Sequence, residues 1–108
     1  MKIFAHRGWS TGEGENTLSA FKKSAEANLD GVELDVRFGR ANEGVIVVHD
    51  YMGQTDLLSL DEALGYLCTT RLELLIEFKG QRIPELYIAV RNLLVKHGLL
   101  GVATIFAF

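Results

Sequence analysis

The chain has 108 residues, a length that fits one domain and suffices to bury a core. Eleven Lys and Arg against fourteen Asp and Glu give a formal net charge of -3, which excludes the basic stripe of a nucleic-acid binder. Cys68 is the one cysteine, so neither a disulfide framework nor a cysteine-based zinc motif can form, and a reducing cytoplasmic setting is expected.

The first apolar run, residues 3–5, turns polar at His6 and is too short for a signal peptide or a membrane span. It reads as a strand over residues 3–6, ending in His6-Arg7-Gly8. A helix follows from Asn16-Thr17, both good capping residues, with Leu18, Phe21 and Ala25 at helical spacing. The second strand covers residues 31–36 and carries Glu33-Leu34-Asp35; the third, residues 45–49, is a near-continuous apolar run ending in His49-Asp50. Between them, residues 38–44 are too few for a crossover helix and contain Gly39, Asn42 and Gly44, so the loop favours an antiparallel hairpin.

Ser59 with Glu62 forms a capping box for a short second helix through Ala63, Leu64 and Leu67. A fourth strand, residues 72–78, ends in Glu77-Phe78-Lys79. The third helix has Pro84 in its first turn, an apolar set from Leu86 to Leu94, and Gly98 as its stop; a fifth strand over residues 102–106 follows. This alternation of strands and helices argues for βα units on a parallel sheet.

The charged clusters fall at or near the ends of apolar runs, where parallel sheets build their sites. Glu33 and Asp35, two apart on a strand, point to one face, and two carboxylates facing one way repel unless a cation lies between them. With Glu77 as a third carboxylate, an all-oxygen set suits Mg²⁺ or Ca²⁺ rather than zinc. A solvated face of an edge strand is the competing reading. His6 and His49 are candidates for an acid and base pair near neutral pH. Arg7 and Lys79 are candidates to hold a phosphate, against a structural ion network with the same carboxylates. His97, in the last turn of the third helix, reads as structural through the helix dipole. Trp9 and Phe38 could wall a pocket, as could Tyr51 and Met52, or simply pack; Gly12, Gly14 and Gly53 mark loops.

In this order, His6-Arg7-Gly8, Glu15-Asn16-Thr17, Glu33-Leu34-Asp35-Val36, His49-Asp50 and Glu77-Phe78-Lys79 resemble the glycerophosphodiester phosphodiesterases. The resemblance implies an α/β fold of the (β/α)8 TIM-barrel family and metal-dependent hydrolysis of glycerophosphodiesters to an alcohol and glycerol 3-phosphate. It implies metal at Glu33, Asp35 and Glu77, acid and base chemistry at His6 and His49, and phosphate at Arg7 and Lys79. It also implies that the second and third strands are parallel neighbours despite their short link. Related sphingomyelinase-type phospholipases share similar His and Glu-x-Asp elements, but the intact Glu15-Asn16-Thr17 tells against them.

A complete barrel needs about 250 residues, so residues 1–108 are expected to form a single partial domain with about the first five strands. Only residues 51–58 precede the Ser59 helix, a reduced cap over the site. An open half-barrel exposes apolar surface and strand edges, so self-association is expected, with a non-catalytic remnant that binds a phosphorylated ligand as the alternative.

Overall fold

A computed structural model describes residues 1–9, 14–40, 43–49 and 57–107. Asp50, Tyr51, Met52, Gly12 and Gly53, all singled out in the sequence, lie outside the described residues. In chain order the elements are β1 (Phe4–His6), α1 (Leu18–Glu26), β2 (Gly31–Phe38), β3 (Val45–Val47), β4 (Leu58–Ser59), α2 (Leu60–Leu67), β5 (Glu73–Phe78), α3 (Ile83–Lys96), a single 3-10 turn (Leu100–Val102) and β6 (Ala103–Ala107).

The helix boundaries follow from their caps. Thr17 stands in extended backbone before α1, and its hydroxyl accepts from the Ala20 N–H at 3.2 Å. Ser59 does the same for α2, accepting from the Glu62 N–H at 3.0 Å, as its capping box predicts. Pro84 sits in the first turn of α3, which ends before Gly98, a residue in the left-handed region at φ 71°.

β2 is the centre of the sheet. One edge pairs in parallel with β5 from Gly31↔Glu73 to Val36↔Phe78, and β5 pairs in parallel with β6. The other edge is shared end to end by two short strands: β1, parallel, against Gly31 to Glu33, and β3, antiparallel, against Val36 to Phe38. The expected parallel relation of the second and third strands is therefore overturned. Val36 faces Val47 and Phe38 faces Val45 in a hairpin closed by the Gly39 N–H donating to the Gly44 carbonyl at 2.6 Å. The reason is the one loop length supplies: a turn this short cannot carry the chain back to the start of a parallel neighbour. β4, absent from the sequence reading, extends the hairpin by pairing with β3. Four of the five expected strands thus lie parallel in the order β1-β2-β5-β6, a partial and unclosed barrel wall.

The period-2 alternation sorts the two faces of this wall. Val32, Leu34 and Val36 of β2 and Leu74, Ile76 and Phe78 of β5 point into a buried layer with Phe21, Leu64, Leu86 and Leu94 of the three helices. Glu33, Asp35 and Glu77 alternate with those residues and occupy the opposite face. At the base of that face Gly31 has no room for a side chain, because a Cβ there would collide with the Phe4 ring and the Glu73 carbonyl.

Candidate functional site

The hairpin decides where the site lies. Because β3 runs back along β2, it returns the chain towards the level at which β1 stops, and the Val48 N–H donates to the Asp35 carbonyl at 3.0 Å. β1 covers β2 as far as Glu33 and β3 begins at Val36, so the end of β1 and the residues after β3 converge beside Asp35.

Three carboxylates meet there. One oxygen from each of Glu33, Asp35 and Glu77 lies within 4.8 Å of the others, and all three side chains are buried. Burial and the neighbouring Asp35 charge both push the Glu33 pKa above the ordinary carboxylate value, against the lowering effect of His6 and of the Arg7 N–H. Asp35 is fully buried, and its Oδ1 accepts no hydrogen bond among the described residues. A crowded set of hard oxygen donors that includes an orphaned buried carboxylate oxygen is what a divalent cation would satisfy, so these residues fit Mg²⁺ or Ca²⁺.

The cations surround this group. Arg7 Nε lies 2.9 Å from Asp35 Oδ2, an ion pair without hydrogen-bond alignment, and Arg7 Nη1 donates to Glu15 Oε2 at 2.9 Å. Burial works against the Arg7 charge, but Glu15, Asp35 and Glu33 outweigh it and hold the guanidinium pKa above its usual value. Lys79 pairs with Glu77. The network reading of Arg7 and Lys79 thus describes their contacts, although both side chains keep part of their surface exposed.

The two histidines stand differently. His6 closes β1, largely exposed, with Nε2 3.9 Å from Glu33 Oε1. His49 lies two residues beyond β3, with its carbonyl accepting from Arg37 Nη1 at 2.9 Å. It lines an open cleft of about 470 Å³ with Arg7, Glu15, Asn16 and Leu58, and His6 is not among the residues lining that cleft. The structure therefore gathers Glu33, Asp35, Glu77, Arg7, Lys79 and His6 through direct contacts, and His49 shares the lining of the cleft with Arg7.

Asn16 is the residue whose place the sequence did not reveal. It is 7% exposed and sits at φ 57°, one residue before the α1 cap. Its Nδ2 donates to Asp35 Oδ2 at 3.1 Å, its Oδ1 accepts from the Asp35 N–H at 3.2 Å, and its own N–H donates to the Arg7 carbonyl at 2.7 Å. The available signal was its position in Glu15-Asn16-Thr17, where it was read as a capping residue. Arg7 too is in the left-handed region, at φ 57°, and its N–H donates to Glu33 Oε1 at 3.2 Å. Two non-glycine residues held at positive φ and tied to each other and to the carboxylates mark this turn as over-determined by its surroundings.

The aromatic residues lie elsewhere. Trp9 is about half exposed, lines a groove with Lys23 and Glu26, and donates its N–H to Ser24. Phe38 packs on the core with the Arg82 guanidinium 4.7 Å from its ring centre. His97 is structural, as expected, through a 2.7 Å contact with Asp61 that ties α2 to the end of α3.

The chain is similar to known proteins. Residues 6–83 match the model of the glycerophosphoryl diester phosphodiesterase family. The chain is 35% identical over 95 residues to a glycerophosphodiester phosphodiesterase of Caldanaerobacter subterraneus, covering 79% of this chain and 37% of that protein. It is 34% identical over 112 residues to the mouse glycerophosphodiester phosphodiesterase 1, covering 92% of this chain and 32% of that protein. In structure it is similar to an Oleispira antarctica phosphodiesterase in complex with the product sn-glycerol-3-phosphate, with a TM-score of 0.86 at 20% identity over all of this chain and 57% of the other. A glycerophosphodiester phosphodiesterase from Parabacteroides distasonis superposes with a TM-score of 0.84 at 21% identity over 99% of this chain and 56% of the other. The chain thus spans about a third of those two relatives and somewhat over half of the two structures, and on the family match it belongs to the glycerophosphoryl diester phosphodiesterase family.

Proposed function

We propose that this chain is a metal-dependent phosphodiesterase domain that hydrolyses glycerophosphodiesters to an alcohol and glycerol 3-phosphate. The observation that carries the reading is the trio Glu33, Asp35 and Glu77, crowded on the face of the sheet opposite the apolar core, with one buried oxygen of Asp35 that accepts no hydrogen bond among the described residues. These three residues would hold Mg²⁺ or Ca²⁺, which when bound supplies Lewis-acid polarisation of a phosphate oxygen and a more acidic water.

The chain's own groups do the rest. Arg7 enters the cleft with Nη1 and Nε already engaged by Glu15 and Asp35, so its remaining guanidinium donors are the ones left for a phosphate oxygen. Lys79, anchored by Glu77, adds a second fixed positive charge. Of His6 and His49, one imidazole takes the proton of the attacking water while the other gives a proton to the departing alkoxide. The P–O bond to the alcohol breaks and the phosphate stays on glycerol.

Glycerol 3-phosphate release from glycerophosphocholine and glycerophosphoethanolamine, with Mg²⁺ or Ca²⁺ and with a chelator, tests this. Activity lost with the chelator, in His6→Ala and in Glu33→Ala is expected; full activity in either variant refutes the proposal.

A second reading is favoured by the open wall. Beyond β6 no strand pairs among the described residues, and the exposed Tyr87 and Ile88 line an apolar groove with Ile105 and Phe106 of β6. Self-association through this open side follows, with or without turnover. Solution mass measures it: a multiple of the chain mass is expected, and a folded monomer at high concentration refutes it. A preparation that binds cation and glycerol phosphate without hydrolysis would select the non-catalytic alternative. No helix among the described residues is long and apolar enough to cross a membrane. A cytoplasmic location is part of the proposal, in keeping with the exposed free thiol of Cys68.

A further inference from the structure

We infer that Asn16 is a positioning residue for Asp35, fixing that carboxylate so that Oδ1 is the oxygen left for a divalent cation. The inference rests on the metal reading of the carboxylate trio and adds a residue to it.

The argument starts from what Asp35 needs. A fully buried carboxylate has to be restrained, or it turns away to find donors of its own. Asn16 supplies the restraint at two points, accepting from the Asp35 backbone N–H and donating to Oδ2. Only one orientation of an amide can do both, because the oxygen must meet the N–H and the nitrogen must meet the carboxylate. Arg7 Nε adds charge at the same Oδ2, so both side-chain partners fall on one oxygen and none on the other. A buried carboxylate oxygen without a donor is costly unless something else satisfies it.

The backbone of Asn16 supports the same role. Asparagine tolerates the left-handed region better than most side chains, and the 2.7 Å bond from its N–H to the Arg7 carbonyl locks it there. Asn16 therefore couples the turn after β1 to the middle of β2, nineteen residues on. Partners that orient a metal ligand are worth about ten- to a hundredfold in metal affinity.

The experiment measures binding of Mg²⁺ and of Ca²⁺, each alone, by calorimetry in the wild-type chain, in Asn16→Gly and in Glu33→Gln. Glycine keeps the φ of 57° and removes the amide, so a loss in Asn16→Gly reports the side chain and not backbone strain. The expected result is a Kd weakened about ten- to a hundredfold in a variant whose far-UV circular dichroism matches wild type. An unchanged Kd overturns the inference and leaves the metal reading standing. Wild-type protein that binds neither cation overturns both. Should Asn16→Gly fail to fold, the wild-type Asn16 side-chain amide resonances decide: they shift with the midpoint of cation binding if Asn16 positions a ligand, and their indifference to saturating cation refutes it.

Discussion

Glu33→Gln is expected to stabilise the cation-free chain while weakening its hold on Mg²⁺ or Ca²⁺. With like charges within 4.8 Å and an effective dielectric constant of about 20, each carboxylate pair repels by about 3.5 kcal/mol or more. Most of this is offset, since Arg7 lies on Asp35, Lys79 on Glu77, and the Arg7 N–H on Glu33 itself. The remainder, with burial, raises the Glu33 pKa, so the charge on Glu33 is a net cost to the cation-free fold. Glutamine keeps an oxygen that can accept from the Arg7 N–H, removes the charge, and turns the other carboxylate oxygen into an NH2 donor facing Asp35 and Glu77. A rise in Tm at pH 7 in chelator is therefore expected, with each 1 kcal/mol of relieved repulsion worth about 4–8 °C in a domain of this size. The pH dependence has a fixed sign. The folded chain holds the Glu33 proton more tightly than the unfolded one, so this stabilising contribution is complete below the ordinary carboxylate pKa. It is lost as pH rises through the raised value. The Tm advantage of Glu33→Gln should therefore vanish in acid and grow towards neutrality. Scanning calorimetry of both proteins across pH, with and without cation, reads it. A variant less stable than wild type at pH 7 in chelator would refute the electrostatic argument.

Two further predictions concern the frame of the site. Gly8→Ala would place a Cβ 2.7 Å from that of Ala20 at a φ of 84°, and should cost about 2–3 kcal/mol in urea unfolding; an unchanged midpoint would show that α1 does not press on the turn after Arg7. Asp61→Asn removes the negative charge that faces His97 and Lys96, whose contacts hold the Asp61 pKa below its ordinary 3.8. That contribution is present above the unfolded pKa and is lost as pH falls through the depressed one, so the Tm gap between wild type and Asp61→Asn should narrow in acid; a gap independent of pH refutes the link.

How much of this was legible in the sequence depended on range. Period 2 along β2 put Glu33 and Asp35 on one face because a strand leaves no other choice, and the caps at Thr17 and Ser59 were readable because each bond spans three residues. The expectation that failed was the parallel third strand, taken from the resemblance against the evidence of the loop. Residues 38–44 had the length and the glycines of a hairpin turn, and a hairpin formed. β4 was not readable, since two residues, Leu58 and Ser59, become a strand only by lying against Ile46 and Val47.

Asn16 shows where local reading ends. A short polar residue before an apolar helical run has a sufficient local explanation as a cap, and that explanation hid a role set by a strand nineteen residues away. Range also hid the meaning of the hairpin, whose end meets Asp35 thirteen residues back. His49 was recognised as a residue near the end of an apolar run, yet its value to the site comes from the direction of that run, which returns it towards Asp35. Local pattern therefore named the groups that carry charge, while the antiparallel return of β3 and the clamp from Asn16 determine how they meet.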